Sequence, residues 1–296
     1  MLKTLSFGAV IVDVIENETF LGGDSLNVTV NMRKLGAEAY LLTRLGNDRY
    51  GTKARKEISD MGVVGKYIQQ DSDHATGHSI VTFNSKLVPS YQFAKDVSDE
   101  YIDVDDRILK DIRKDEFDVF WYSSYCQFSD KSRASLMRIL EYNNFKLSFC
   151  DINIRRDFYK KEMLIDSFRF ADILKMNEDE AKLICAELYG QKMREEDMAA
   201  RLKDDFNLEL ICITKGPAGC SLYGKHDGRL DSPAFSFPVV DTVGAGDAFS
   251  SAFIIKYCST KDVLKSAECG NLLGSFVASQ KGAITSFPEE IYKQLI

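Results

Sequence analysis

The chain has 296 residues, of which 45% are hydrophobic and 28% are charged, and its net charge at neutral pH is −7. This composition is typical of a globular protein with a substantial core, and the length suits one large α/β domain or two small ones. An acidic surface repels nucleic acid and anionic membranes, so neither is expected as a partner.

Strand-like and helix-like segments alternate along the chain. An apolar run at residues 5–12 predicts a buried first strand that ends at Asp13, and residues 24–36 predict a helix capped by Asp24 or Ser25. The later predicted strands are 39–45, 119–122, 146–151, 171–176 and 210–214, and the later predicted helices are 51–61, 130–142, 178–186, 245–257 and 261–279. Such alternation predicts an α/β fold whose parallel sheet is covered by helices on both faces and binds ligands at the carboxyl ends of its strands.

Residues 76–93 interrupt this alternation. Two strand-like segments flank Asn84-Ser85-Lys86, which is typical of a β-hairpin turn. Neither a Pro- or Ser-rich linker nor an internal repeat divides the sequence. We therefore predict a single domain over residues 1–296, with a β-hairpin flap at about 76–95.

The seven cysteines are dispersed and include no Cys-x-x-Cys pair, which predicts reduced, buried thiols in a reducing compartment. The N-terminal segment lacks the basic region and the cleavage site of a signal peptide. No stretch of the sequence approaches the roughly 20 apolar residues of a membrane span. A cytoplasmic protein is therefore expected.

The strongest motif is DTVGAGD at residues 241–247. Gly244, Ala245 and Gly246 stand where a helix is predicted to begin, so free N–H groups of its first turn can meet an anion directly, and the helix dipole adds to the attraction. Asp247 follows beside this site, where a carboxylate is useful if a hydroxyl must lose a proton next to a phosphate. The pattern predicts phosphoryl transfer, and a glycine-rich turn with an acid that favours the helix dipole is the alternative.

The stretch at residues 239–254 resembles the C-terminal signature of the ribokinase-like (PfkB) carbohydrate kinase family. The resemblance implies a three-layer α/β/α sandwich with a mostly parallel central sheet and a small, reduced β lid. It implies an enzyme that uses ATP and Mg²⁺ to phosphorylate a sugar. It also implies that Asp247 is the general base for the acceptor hydroxyl and that residues 244–246 form the anion hole.

The N-terminal half carries further positions of the same resemblance. Gly22-Gly23 followed by Asn27 is similar to the family's Gly-Gly-x-x-x-Asn element, and Asp13 resembles its sugar-binding Asp. Two glycines allow close approach of a ligand, and an Asn offers both a donor and an acceptor. The resemblance implies that Asp13, Gly23 and Asn27 bind sugar hydroxyls, whereas the GNDRYG turn at residues 46–51 is structural.

The nucleotide site is implied by the C-terminal half. Asn177 and Glu180 look like the family's Asn-x-x-Glu motif, which would organise Mg²⁺, through water in the case of Glu180, beside the phosphates. An ordinary acidic helix start is the alternative for this motif. The other implied nucleotide positions are Thr214, Gly216, Gly219 and Asn271. A monovalent cation such as K⁺ beside Asp241 is a further expectation from the resemblance.

The substrate is less sharply predicted. The strand end that contains Asn153 and Arg155 resembles that of fructokinases and ketodeoxygluconate kinases, which implies that both residues contact the sugar; a surface salt bridge is the alternative for Arg155. Only eight residues separate Asp13 from Gly22, fewer than the family usually spends on lid strands. The hairpin alone is therefore expected to cover the sugar, with Tyr91 or Phe93 stacking on it.

Fructose ranks first among the expected acceptors, fructosamine-type sugars or other keto-sugars such as ketodeoxygluconate rank second, and nucleosides rank third. A reduced lid also favours a homodimer in which a neighbouring surface completes the site. A catalytically inactive sugar-sensing protein of the same fold is the alternative from another functional class.

Overall fold

The computed structural model of the chain describes residues 1–16, 18–83, 89–154, 159–224 and 228–296. Its central feature is a nine-stranded sheet. In spatial order its strands are β13 (Arg229–Ser232), β12 (Cys220–Gly224), β11 (Leu210–Thr214), β10 (Ile173–Asn177), β9 (Leu147–Asp151), β8 (Val119–Ser123), β1 (Lys3–Phe7), β4 (Glu38–Gly46) and β5 (Ile68–Asp71). Every neighbouring pair from β11 to β5 is parallel, and the two pairs beyond β11 are antiparallel.

Helices cover both faces of this sheet. They are α1 (Asp24–Lys34), α2 (Arg49–Asp60), α3 (Asp106–Asp115), α4 (Asp130–Tyr142), α5 (Lys161–Arg169), α6 (Glu178–Tyr189), α7 (Glu195–Phe206), α8 (Ala245–Thr260), α9 (Val263–Ala278) and α10 (Glu289–Leu295). In β8, Phe120 and Tyr122 pack with α3 to α7, whereas Val119 and Trp121 pack with α1, α8 and α9. Because this strand is buried on both faces, its sequence is a continuous apolar run. The helices on both sides of the sheet confirm the predicted three-layer α/β/α fold.

A second, four-stranded sheet stands apart from the central one. Its order is β3 (Glu18–Gly22), β2 (Ile11–Ile15), β6 (His78–Phe83) and β7 (Pro89–Phe93). The expectation that the hairpin alone would form a flap is wrong, because β2 pairs with both β3 and β6. A tight reversal at Glu16, where φ is 53°, lets a short segment supply two strands. The predicted turn at residues 84–86 lies outside the described residues.

The start of the chain differs from its predicted form in one important respect. The apolar run at residues 5–12 is not one strand, because β1 ends at Phe7 and β2 begins at Ile11. Gly8, with φ of 151°, lies at the break between them. Asp13 therefore lies in the middle of β2 in the second sheet, not at the end of the first strand.

The turn at residues 46–51 has the structural role that the sequence predicts. Asp48 caps α2 by accepting a hydrogen bond from Gly51 N (2.7 Å), and its other carboxylate oxygen accepts from Thr76 N (2.7 Å). This carboxylate thereby ties α2 to the segment that leads into the second sheet. None of the helices in the described part of the chain combines the length and apolarity that crossing a bilayer requires.

Candidate active site

The predicted anion site lies at the start of α8. Gly244 is the N-cap residue and has φ of 77°, and a Cβ at this position would lie 2.3 Å from Ala283 Cβ. Only glycine fits this turn. Ala245 N–H donates to the Thr242 carbonyl (3.2 Å), so it is not free to bind an anion as predicted. The N–H groups of Gly246 and Asp247 remain as candidate donors, because the first turn of a helix leaves them without intrahelical partners.

Asp247 lies in the first turn of α8 and is partly buried. Asn27 of α1 donates a hydrogen bond from Nδ2 to Asp247 Oδ2 (2.8 Å), which brings the two predicted residues together. Burial raises the pKa of Asp247 to about 7, the nearby Asp24 and Asp151 carboxylates add to the rise, and Asn27 and Lys175 oppose it. A carboxylate with a pKa near neutrality can accept a proton from a reacting group and later release it.

Asp24 is a buried carboxylate that the sequence did not single out for this site. It lies in the first turn of α1, whose N-cap is Gly23, so the predicted cap at Asp24 or Ser25 is wrong. The Asp24 carboxylate accepts hydrogen bonds from Ser123 Oγ (2.6 Å) and from Asn153 Nδ2 (2.9 Å). The amide of Asn153, predicted to bind sugar, is therefore directed at Asp24.

A second buried group, the ion pair between Lys175 and Asp151, lies beneath α8. Lys175 Nζ is 2.8 Å from Asp151 Oδ1, and Ser250 of α8 donates to Asp151 Oδ2 (2.6 Å). Burial alone would lower the pKa of Lys175, but neighbouring carboxylates, Asp151 foremost, raise it. Burial raises the pKa of Asp151, and Lys175 opposes that rise. In the sequence, Lys175 is a single cation inside an apolar strand. A fully buried Lys is rare unless it is paired, so this position could have indicated a buried partner.

The second sheet presents Asp13 toward the domain. Across β3, β2, β6 and β7, the paired residues Phe20, Asp13, Ser79 and Phe93 share one face. Phe93 lines a narrow cavity together with Tyr125 of the main body, so this face looks onto the domain. Ser79 Oγ donates to the Asp13 carboxylate, and burial raises the pKa of Asp13 although that bond opposes the rise.

Gly23 connects the second sheet to α1. It has φ of 106°, and a Cβ there would lie 2.5 Å from the Ala9 carbonyl oxygen, so no larger residue fits. This close approach brings the start of α1, and hence Asn27, next to the break between β1 and β2. Two further predicted sugar contacts, Arg155 and the side chain of Tyr91, lie outside the described residues.

The four nucleotide positions predicted after β10 line one cavity. It has a volume of about 410 Å³, includes Gly246 in its wall, and contains the predicted residues Thr214, Gly216, Gly219 and Asn271. Asn271 Nδ2 donates to the carbonyl and the hydroxyl oxygens of Ser232, both at 3.0 Å, and so joins α9 to β13. Much of the remaining wall is apolar, which suits the face of a nucleobase.

Asn177 and Glu180 line an adjoining cavity of about 380 Å³ that shares Thr214 and Gly216 with the first. Asn177 Oδ1 accepts from Glu180 N (2.9 Å), and Glu180 Oε2 accepts from Asn177 N (2.8 Å). Burial raises the pKa of Glu180, and the N–H groups of Asn177 and Ile154 oppose that rise. The described residues contain no cluster of three acidic, His or Cys side chains that could hold a metal by themselves. Asn177 and Glu180 would therefore suit a Mg²⁺ ion that keeps most of its water ligands and also binds the phosphates.

Asp241, the expected neighbour of a monovalent cation, lies in the segment before α8. Its Oδ1 accepts from Val243 N (3.0 Å) and its Oδ2 accepts from Gly282 N (3.1 Å). The carboxylate thus joins this segment to the chain that follows α9, on the side of α8 where Ala283 packs against Gly244.

The sequence model described as "pfkB family carbohydrate kinase" matches residues 2–290. Fructokinase-1 of Zea mays is 28% identical over 313 residues, covering 97% of this chain and 94% of the maize protein. The structure of an uncharacterized sugar kinase of Pyrococcus horikoshii in complex with ATP is 25% identical, with a TM-score of 0.82 and coverage of 99% and 100%.

A third similar structure is that of aminoimidazole riboside kinase from Salmonella enterica, complexed with aminoimidazole riboside and an ATP analog. It is 23% identical to this chain, its TM-score is 0.79, and the match covers 99% of this chain and 100% of the other. At this identity the likeness establishes the fold.

Proposed function

The chain belongs to the pfkB family of carbohydrate kinases, and from this premise we propose that it transfers the γ-phosphoryl group of ATP to a hydroxyl of a neutral keto-sugar, with fructose as the first candidate. The observation that carries the proposal is the position of Asp247 at the free N-terminal end of α8, with its carboxylate held by Asn27. This arrangement supports the proposal, because the free end of a helix favours an anion and the carboxylate beside it has a pKa of about 7, which suits a general base.

The proposed reaction uses these groups in order. Asp247 accepts the proton of the sugar hydroxyl as that oxygen attacks the γ-phosphorus of ATP, and the bond to the β–γ bridging oxygen breaks to release ADP. The N–H groups of Gly246 and Asp247 stabilise the charge on the transferred group, and Asn27 orients the base. Mg²⁺, held through water by Glu180 near Asn177, would neutralise charge on the phosphates.

Three carboxylates around the proposed acceptor site favour a neutral sugar. Asp13 lies on the second sheet next to Gly22, and Asp24 and Asp247 lie at the starts of α1 and α8. A sugar acid such as ketodeoxygluconate would be repelled by this group, whereas a carboxylate such as Asp13 can accept hydrogen bonds from a polyol. The similarity to a protein named fructokinase supports fructose. A fructosamine-type sugar is the second candidate, because a cationic amine also suits this charge.

Two further proposals concern cations and assembly. A monovalent cation beside Asp241 would contact the segment that leads into α8. The second sheet has four strands, so a homodimer is not needed to complete a reduced lid. A homodimer would cover Ile80, whose side chain is 47% exposed on the face of that sheet opposite Asp13.

A phosphorylation screen tests the proposed function. ADP release would be measured with fructose, ribose, fructoselysine, ketodeoxygluconate and adenosine, and each product would be identified by mass. We expect fructose to give the highest kcat/KM. Preference for adenosine or ketodeoxygluconate would contradict a neutral keto-sugar, and sugar binding without turnover of any acceptor would favour the sugar-sensing alternative.

A further inference from the structure

Lys175 is a buried cation directly beneath the start of α8. It is paired in register with Asp151 on the neighbouring parallel strand, so both side chains leave the sheet on the same face. Lys175 and Asp151 are 7% and 3% exposed, and Nζ lies 2.8 Å and 3.1 Å from the two carboxylate oxygens. Neither residue accepts the proton or binds the phosphates in the proposed reaction.

The ion pair is connected to α8 through Gly246. Ser250 Oγ donates to the Asp151 carboxylate (2.6 Å) and lies 3.1 Å from the Gly246 carbonyl oxygen, and Lys175 Nζ is 3.5 Å from the same oxygen. A Cβ at position 246 would lie 3.0 Å from Lys175 Nζ. The glycine at this position therefore makes room for the ammonium group as well as for an anion.

The geometry of one peptide group relates this contact to the anion site. The Gly246 carbonyl and the Asp247 N–H belong to the same planar peptide, in which the two groups point in opposite directions. The Gly246 carbonyl faces Lys175 Nζ and the Ser250 hydroxyl on the side of the sheet, so the Asp247 N–H is directed the opposite way, toward the free end of α8. The same peptide carries the Asp247 side chain, whose carboxylate accepts its hydrogen bond from Asn27.

Stability alone does not explain the ion pair. Apolar residues of similar volume often replace a buried ion pair without loss of stability, since removal of two charges from water is costly. The charged groups that face Asp247 are Asp24 of α1, Asp151 of β9 and Lys175 of β10. Lys175 is the positive member of this group, and it lies where a transferred phosphoryl group would bring further negative charge.

We propose that Lys175, with Asp151 and Ser250, is a positioning residue for phosphoryl transfer. It holds the peptide that joins Gly246 to Asp247, so that the N–H faces the transferred phosphoryl group and the carboxylate faces the acceptor hydroxyl. This inference rests on the proposed function.

The test is a double variant that removes the ion pair but keeps the packing, Lys175→Met with Asp151→Leu. The matched control is Arg133→Met with Asp166→Leu, which removes a partly buried ion pair between α4 and α5. We expect both variants to keep the KM for the sugar within about threefold, whereas kcat falls by about 10²-fold only in the Lys175 variant. A kcat within threefold of the wild type, in a variant as stable as the wild type, would overturn the proposal.

A second variant, Ser250→Ala, covers the case in which the double variant does not fold. It removes the hydroxyl beside Asp151 and Gly246 without removing a charge, and a roughly tenfold lower kcat at unchanged KM is expected. Unchanged kcat in this variant would overturn the proposal.

A readout without turnover separates this inference from the proposed function. If the wild type phosphorylates no sugar, the proposed function fails. The NMR resonance of the Asp247 backbone amide still tests whether Lys175 positions the anion site. Addition of ATP with Mg²⁺ should shift this resonance in the wild type and much less in the Lys175 double variant or in Ser250→Ala. Equal shifts in the wild type and the variants would show that Lys175 does not position the anion site.

Discussion

Replacement of Asp247 by Asn should stabilise the folded protein at neutral and alkaline pH. Burial and the nearby Asp24 carboxylate raise the pKa of Asp247 from its ordinary value of 3.8 to about 7. A difference of about 3 pKa units corresponds to about 4 kcal/mol at most. Because Asp247 is partly exposed, solvent screening reduces the expected gain to about 1–2 kcal/mol.

The sign of this effect follows from proton uptake. Between about pH 4 and pH 7 the folded state keeps a proton on Asp247 that the unfolded state has lost, so the free energy of unfolding of the wild type falls as the pH rises through this window. Asn does not titrate, so the variant lacks this decline. The advantage of Asp247→Asn should be absent near pH 4 and complete above pH 7.

Urea denaturation of both proteins between pH 5 and pH 8 would measure this difference. The matched control is Asp60→Asn, because Asp60 is an exposed carboxylate paired with Lys56 on the surface of α2 and should change stability by less than about 0.5 kcal/mol. An Asp247→Asn variant that gains no stability relative to the wild type between pH 5 and pH 8 would refute the reasoning. A gain that is largest at pH 5 would refute it as well.

Other predictions concern the pH profile and two packing positions. The kcat/KM should fall below about pH 7 as Asp247 takes up a proton, and Asp24→Asn should move the midpoint of the pH-rate profile to lower pH; a profile flat down to pH 5 would contradict the base assignment. Gly244→Ala should lower the free energy of unfolding by about 1–3 kcal/mol, measured by urea denaturation, because its Cβ would meet Ala283 at 2.3 Å; unchanged stability would show that the turn adapts. Asn271→Leu should raise the KM for ATP about tenfold in steady-state kinetics while kcat changes little, because α9 loses its hydrogen bonds to β13. An unchanged KM would show that the cavity does not depend on these hydrogen bonds.

The sequence predicted the parts of the fold that depend on local patterns. The central strands are apolar on both faces and the helices between them are periodic, so their order along the chain predicts a parallel sheet. The helix start at Gly244 was also predictable, because the glycine-rich motif and the first turn of α8 are adjacent in sequence. Helices α3, α5, α7 and α10 were not assigned, although the apolar residues of α3 have the spacing of an amphipathic helix.

The second sheet and the position of Asp13 could not be predicted in the same way. An apolar run shows the same hydrophobic pattern whether it forms one strand or two. Periodicity therefore does not predict the break between Phe7 and Ile11. The pairing of β2 with β6 joins segments more than 60 residues apart. Such pairing depends on tertiary contacts that a single sequence does not contain.

The charged groups around Asp247 could not be predicted from the sequence for the same reason. Asp24 and Lys175 acquire their significance from partners on other elements, Asp24 from Ser123 of β8 and Lys175 from Asp151 of β9. The sequence shows each as an isolated charge, Asp24 between Gly23 and Ser25 and Lys175 inside an apolar strand. Only the folded chain places both within reach of Asp247, where they act on its pKa in opposite directions.

The most direct test of the account is the kcat of Asp247→Asn with the best acceptor from the phosphorylation screen. We predict a fall of about 10²–10⁴-fold with sugar binding preserved, because the variant keeps the shape of the site and loses only the ability to accept the hydroxyl proton. A kcat within threefold of the wild type would contradict the assignment of Asp247 as the base and, with it, the proposed reaction.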